Sequence, residues 1–316
     1  MTLNNQINIE VENAICYSGY REGQSPNDMV YPSYEQVKED LLILARHWKL
    51  LRLYESDNHA ETVLEVIRRE KIDLKVMIGV CLGAEINNEN CPWGANYTEV
   101  TLSNNKDYNK QQIEKLIRLA NHYSELVISV SAGNEATAEW TDHLVPVETV
   151  IAYVKLLKSS VKQPVTFCEN YAAWQGKLHD LAEEVDFISL HTYPLWEYKS
   201  IEEALDYTQA NYNSVRYKYP HKPVIITEAG WATNSNDKGI PSKHANEEFQ
   251  KTYYEKLTTW SRENGILTFV FEAFDEAWKG SHEPLEPEKH WGLFTIDRKP
   301  KKVMCDIYPD LCADYL

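Results

Sequence analysis

The chain has 316 residues, 43% hydrophobic and 25% charged, a balance that fits a folded globular protein and excludes a disordered one. With 32 Lys plus Arg against 48 Asp plus Glu the formal net charge is −16, which excludes nucleic-acid phosphate and anionic membrane surfaces as attracted partners. No apolar run approaches the roughly 18 to 20 residues of a membrane-spanning helix, so membrane insertion is not expected.

Short apolar runs rich in β-branched residues alternate with stretches of helical period, the pattern of a parallel sheet covered by helices. The first run, Ala14 to Ser18, precedes Tyr34 to Trp48, where Ser33 is placed to cap a helix. Val37, Leu41, Leu44, Ala45 and Trp48 form its apolar stripe. Leu50 to Tyr54 precedes a stripe over Ala60 to Arg69. Leu74 to Val80 precedes Asn109 to His122, across a long Pro92 to Lys106 insertion. Leu126 to Ser131, Pro164 to Cys168 and Asp186 to His191 are followed by helical stretches at Val147 to Val161, Gln175 to Glu183 and Ser200 to Tyr217. Val224 to Glu228 leads to Lys243 to Asn264, and Leu267 to Phe271 leads to a short helix near Lys301 to Ile307. Eight such pairs without a Gly/Ser-rich linker predict an α/β fold, a single (β/α)8 TIM barrel over residues 1–316. An open doubly wound sheet would want a glycine-rich phosphate turn after the first strand, and Gly19 and Gly23 do not supply one.

In such a barrel the chemistry sits at the C-terminal ends of the strands. Those ends carry Tyr17, Arg52 with Tyr54 and Glu55, Glu85, Asn134 with Glu135, Glu169 with Asn170, His191 with Tyr193, Glu228, and Glu272 with Asp275 and Glu276. Most strand ends are polar because they are solvated. Glu135 and Glu228 differ, since each directly ends an apolar strand, where a carboxylate is costly unless it is paired or works. They fall on the fourth and seventh strands, which face each other across the barrel mouth. Two carboxyls about 5 to 5.5 Å apart there perform retaining glycoside hydrolysis, one as nucleophile and one protonating the leaving oxygen.

The 9 Trp and 20 Tyr exceed what a core needs, and Trp93, Tyr97, Trp140, Tyr171, Trp174, Trp196, Tyr198, Trp231 and Trp278 lie in expected loops. Flat faces suit sugar rings, although each is also a good packing residue. The six cysteines show no metal-type pair, so zinc is not expected. Cys16, Cys81 and Cys168 read as buried thiols, and Cys305 with Cys312 as a bridge if the compartment is oxidising.

Gly133-Asn134-Glu135, Thr227-Glu228-Ala229-Gly230-Trp231, Phe271 to Lys279, and Lys289-His290-Trp291-Gly292-Leu293-Phe294 together resemble glycoside hydrolase family 17. This is the β-1,3-glucanase family within the clan of retaining (β/α)8 hydrolases, and the similarity runs over nearly the whole chain. The resemblance implies Glu135 as acid/base and Glu228 as nucleophile of a covalent glycosyl-enzyme. It implies Glu276 and Lys279 as auxiliary groups and Asn134 as the partner of the sugar 2-hydroxyl. Physics and clan resemblance together place Arg52 as the cation holding Glu228 ionised and Tyr193 as a hydroxyl donor to the same carboxylate. Glu135 must hold a proton at rest, which ionised Glu228 nearby and partial burial both favour. The implied substrate is a laminarin-like β-1,3-glucan, hydrolysed or, by the same residues, transferred to another sugar. Trp231, Trp278 and Trp291 are the expected stacking platforms, with Tyr17 and Glu85 as further substrate contacts. No cofactor is implied, and a monomer is expected.

The Cys81 to Glu85 segment and the Pro92 to Lys106 insertion depart from the plant pattern and point to a bacterial-type member. Met1 to Asn13 is polar and unlike a signal peptide, although export with the signal removed is in keeping with polysaccharide hydrolysis. Two other classes compete. His191, Glu228 and Asp275 would suit a metal-dependent barrel enzyme, but no His-x-His ends the first strand. A non-catalytic sugar-binding barrel would be expected to lack the carboxylates and Lys279 that are present here.

Overall fold

Eight parallel strands pair in chain order and close, β1 lying against both β2 and β8. They are β1 (Ala14–Cys16), β2 (Leu50–Leu53), β3 (Lys75–Gly79), β4 (Val127–Asn134), β5 (Val165–Asn170), β6 (Ile188–His191), β7 (Val224–Gly230) and β8 (Thr268–Phe271). This computed structural model describes residues 10–313, so the first nine residues of the polar N-terminal stretch lie outside the described residues. The helices among the described residues are α1 (Tyr34–Leu44), α2 (Asn58–Glu70), α3 (Glu99–His122), α4 (Val147–Ser160), α5 (Tyr171–Gln175), α6 (His179–Glu184), α7 (Ala204–Lys218), α8 (Glu247–Glu263) and α9 (Lys302–Ile307). None is long and apolar enough to cross a membrane.

Several helices begin at a side-chain cap. Ser33 and Gln36 form a reciprocal capping box on α1, Asp57 caps α2 through the Ala60 amide, and Asn246 caps α8 through Phe249. Apolar stripes such as Leu41 and Leu44, Val63 and Ile67, Val154 and Leu157 are fully buried against the strands. Each such side chain contributes about 1.5–3 kcal/mol relative to exposure.

Two helices differ from expectation. α3 starts at Glu99, so much of the supposed Pro92 to Lys106 insertion is helical: Thr98 caps it, and its first turns hold too few apolar side chains to show a period. The helix expected over Gln175 to Glu183 is two short helices, α5 ending at Gly176 and α6 starting at His179. Cys305 and Cys312 are disulfide-bonded, Cys16 and Cys168 are buried thiols, and Cys81 is only half-buried.

The strand register shifts between Ser131 and Asn134, between Leu190 and His191, and between Ile226 and Ala229. Such irregularities turn a strand end and re-aim its side chains, and these fall on the strands that carry Asn134, His191 and Glu228. Two glycines permit the close approach of the last segments. A Cβ at Gly230 would run into the Phe271 carbonyl, and one at Gly292 into the Asp275 amide.

The C-terminal segment is tied to α1 and to the loop after β1 by a buried ion pair. Arg298 donates through Nε and Nη2 to both Asp40 oxygens at 2.7 Å and through Nη2 to the Gly19 carbonyl at 2.8 Å. Asp40 also accepts from Tyr17 and Arg21. Asp40→Ala is expected to lower unfolding free energy by about 3–5 kcal/mol, because it strands a buried guanidinium. A denaturant midpoint equal to wild type would contradict this.

Candidate active site

The C-terminal strand ends surround a cavity of about 1120 Å³, whose walls include Glu135, Glu228, Tyr54, Tyr193, Trp278 and Trp291. That exceeds the volume a single small ligand needs.

Glu228 lies near the C-terminal end of β7, which is buried throughout, and is itself 4% exposed. Arg52, from β2, donates through Nη1 to its Oε1 at 2.5 Å, and Tyr193, after β6, donates its hydroxyl to Oε2 at 2.5 Å. Burial alone would push this carboxyl up. The charges of His191 and Arg52 and the hydrogen bonds from Tyr193 and Arg52 overcome that and hold it down at about 2. Arg52 Nη2 also donates to Asn134 Oδ1 at 2.5 Å, which leaves the Asn134 amide N–H2 as the group able to face a ligand.

Glu135 follows Asn134 with a φ of +47°, a left-handed conformation uncommon for a residue with a Cβ. Its backbone is held by the Cys168 carbonyl, which accepts from the Glu135 amide at 2.9 Å. Two residues on, the buried Glu169 carboxylate accepts from both the amide and the hydroxyl of Thr137 at 2.9 and 2.6 Å. One carboxylate oxygen of Glu135 and one of Glu228 lie within 4.8 Å of each other. That is near the separation of a retaining pair and short of the roughly 6.5–9.5 Å that leaves room for an intervening water.

Between them stands His191, a residue read from sequence only as a strand end or metal ligand. Its Nδ1 is 2.8 Å from Glu135 Oε1 and 3.5 Å from Glu228 Oε2. Burial would lower its pKa, but the Glu228 charge and its hydrogen-bonding neighbours push it up to about 10. An imidazolium therefore stands beside the expected acid, a positive charge that the sequence reading did not count. The His-x-Tyr spacing at strand six was the available signal, since residues two apart on a strand share a face.

A second cluster lies after β8. Lys279 Nζ sits 2.8 Å from Glu272 and 2.7 Å from Glu276, while Ser18 and the Trp278 indole both donate to Glu276 Oε2 at 2.5 Å. Two buried carboxyls share one ammonium. Burial and the Glu276 charge push Glu272 far up, whereas Lys279 and its other donors keep Glu276 low against burial. Glu288, missed from sequence, also lines the cavity; burial pushes its carboxyl up to about 7.

Two expected substrate contacts need correction. Trp231 is 1% exposed and turns outward from β7, its indole donating to the His244 carbonyl and its ring packing on Phe249 and Tyr253. Glu85 is buried away from the cavity and accepts from Asn109 at 2.9 Å and Tyr153 at 3.0 Å, tying α3 and α4 to the loop after β3. Trp278, Trp291 and Tyr17 do line the cavity, although the Tyr17 hydroxyl is engaged by Asp40 and Trp291 is a buried floor beneath Tyr193 and Trp196.

Among the described residues, Glu135, His191 and Glu228 form a group with metal-ligand spacing. The site's charges do not suit a divalent ion, because His191 is protonated and Arg52 already neutralises Glu228. Asp275, the third ligand considered from sequence, is instead bound to Lys301 at 2.7 Å.

The BtgE/BtgC glycoside hydrolase domain matches residues 14–292. A putative glucan endo-1,3-β-glucosidase btgC of Aspergillus niger is 28% identical over 292 residues, covering 85% of this chain and 40% of that protein. The chain thus spans about 40% of the length of the curated relative. An endo-laminarinase structure from Formosa superposes with a TM-score of 0.83 at 28% identity, covering 98% of this chain and 90% of that one. A Rhizomucor miehei β-1,3-glucanosyltransferase shares the fold, with a TM-score of 0.73 at 21% identity over 93% of this chain and 96% of that one.

Arg52→Gln is expected to raise the Glu228 titration midpoint by about 1 to 3 pH units, since a cation and a hydrogen bond to the ionised form are lost. Carboxyl NMR of labelled glutamate checks this, and an unmoved midpoint would contradict it.

Proposed function

The chain belongs to the BtgE/BtgC glycoside hydrolase family, a family-17-like group, and from that premise we propose that it cleaves β-1,3-glucosidic bonds in laminarin-like glucans with retention. The observation that carries the reading is the pair of facing carboxyls within 4.8 Å, one of them locked as an anion by Arg52 and Tyr193.

Glu228 attacks the anomeric carbon while Glu135 protonates the departing glycosidic oxygen. The leaving sugar is then replaced by water, which gives its proton to Glu135 as its oxygen displaces Glu228. The Asn134 amide is placed to bond the 2-hydroxyl as positive charge develops at the anomeric carbon. His191 links the two half-reactions electrostatically: esterification of Glu228 removes one of the negative charges that hold its proton. Lys279, Glu276 and Trp278 shape the wall on the β8 side, and Trp278 offers its ring face to the sugar, with Trp291 packed behind Tyr193 and Trp196.

The β-1,3-glucan assignment is supported by the names of the A. niger and Formosa relatives. The bacterial-type placement is supported by the loop departures after β3. Treatment of residues 1–316 as one catalytic domain is supported by a barrel that occupies the described residues from β1 to α9.

Laminarin digestion by wild type, Glu135→Gln and Glu228→Gln, with products resolved by size, tests the reading. Short oligosaccharides from wild type and a loss of at least about a hundredfold in each variant are expected. Products longer than the donor would assign transfer in place of hydrolysis, and undiminished activity in Glu228→Gln would defeat the mechanism.

A further inference from the structure

The cavity continues past the catalytic carboxyls onto two indoles that the mechanism does not use. Trp93, on the loop between β3 and α3, is 63% exposed, and Trp140, between β4 and α4, is 38% exposed. Both line the same cavity as Glu135. Their ring centroids lie 6.2 Å apart at 49°, so neither ring covers the other's face. Elsewhere Trp48, Trp174, Trp231 and Trp291 are buried. Two neighbouring indoles left in water on a cavity wall therefore mark a contact surface and not core packing.

The pair is also fixed in place. Asn88, on the first loop, donates through Nδ2 to the Glu139 and Thr141 carbonyls at 2.9 and 2.7 Å, on either side of Trp140. The Glu85 and Ile86 amides both donate to the Leu144 carbonyl, joining the two loops at their base. The Trp93 indole is hydrogen-bonded to Asp142, which also holds His143 Nδ1 at 2.7 Å. Rigid apolar faces beside a carboxylate acceptor match a pyranose, which offers an apolar ring face and hydroxyl donors at its rim.

Resting on the glucan reading above, we propose that Trp93 and Trp140 form a distal sugar-binding subsite, which takes a glucosyl unit remote from the bond being cleaved and makes cleavage depend on chain length. A chain long enough to reach the pair gains binding that a short one lacks, and contacts that do not touch the reacting atoms act alike on ground and transition states. Their effect therefore appears in KM.

The test compares kcat/KM on laminarin with that on the shortest laminari-oligosaccharide cleaved, for wild type, Trp93→Ala/Trp140→Ala and Trp93→Phe/Trp140→Phe. The long-to-short ratio is expected to fall about tenfold in the Ala pair, through KM on laminarin, and to recover in the Phe pair, which keeps flat rings. A ratio unmoved in a folded Ala variant overturns the subsite, as does a loss carried by kcat alike on both substrates. Trp93→Ala alone serves if the double variant does not fold, because Trp93 is a loop side chain. Wild type inactive on every β-1,3-glucan would strike the substrate reading instead, an outcome distinct from an active enzyme with an unmoved ratio.

Discussion

The Arg52 guanidinium reaches from β2 across the barrel mouth to two opposite strands, bonding Glu228 on β7 with one nitrogen and Asn134 on β4 with the other. It is 2% exposed, in an interior where an uncompensated charge would be intolerable. Its position explains why Glu228 can be both buried and ionised. The same contact sets the Asn134 amide orientation, and Glu135 is the next residue along. One cation thus holds the charge of Glu228, the proposed nucleophile, and bonds the strand end that carries Glu135, the proposed acid/base. Tyr193 completes the nucleophile's hydrogen bonds, and the Arg52 guanidinium stacks 4.3 Å over the Tyr54 ring, which packs it laterally.

The opposite wall solves a similar problem differently. Lys279 stands between two buried carboxyls and pairs with both, at 2.8 Å to Glu272 and 2.7 Å to Glu276. Trp278 and Ser18 both donate to Glu276 Oε2, which ties this carboxylate to β1 and to the segment after β8. Glu228 and Glu272 are pushed in opposite directions: Arg52 and His191 hold Glu228 low, whereas burial and the Glu276 charge push Glu272 up.

Much of this was legible in the sequence. All eight strands follow from apolar runs, and the facing carboxyls Glu135 and Glu228 follow from their place at the ends of those runs. Arg52 and Tyr193 were legible because a buried carboxylate needs a cation and a donor and the clan resemblance pointed to these two strand ends. What sequence does not carry is the direction in which a side chain leaves a strand end. Trp231 lies three residues after Glu228 yet turns outward under α8, because Gly230 lets β7 press against the Phe271 carbonyl. Glu85 sits at a strand end as expected, but its partners come from α3 and α4, far away in sequence. His191 was visible as a residue, but its position between two carboxyls required the register shift at Leu190.

The central claim is that the anion held by Arg52 and Tyr193 becomes covalently bonded to the substrate. The most direct measurement is trapping with a 2-deoxy-2-fluoro β-laminaribiosyl fluoride followed by peptide mass spectrometry. The account predicts one glycosyl adduct, on the peptide carrying Glu228. An adduct on Glu135 or Glu288, or turnover of the reagent to the inverted anomer without any adduct, would contradict it.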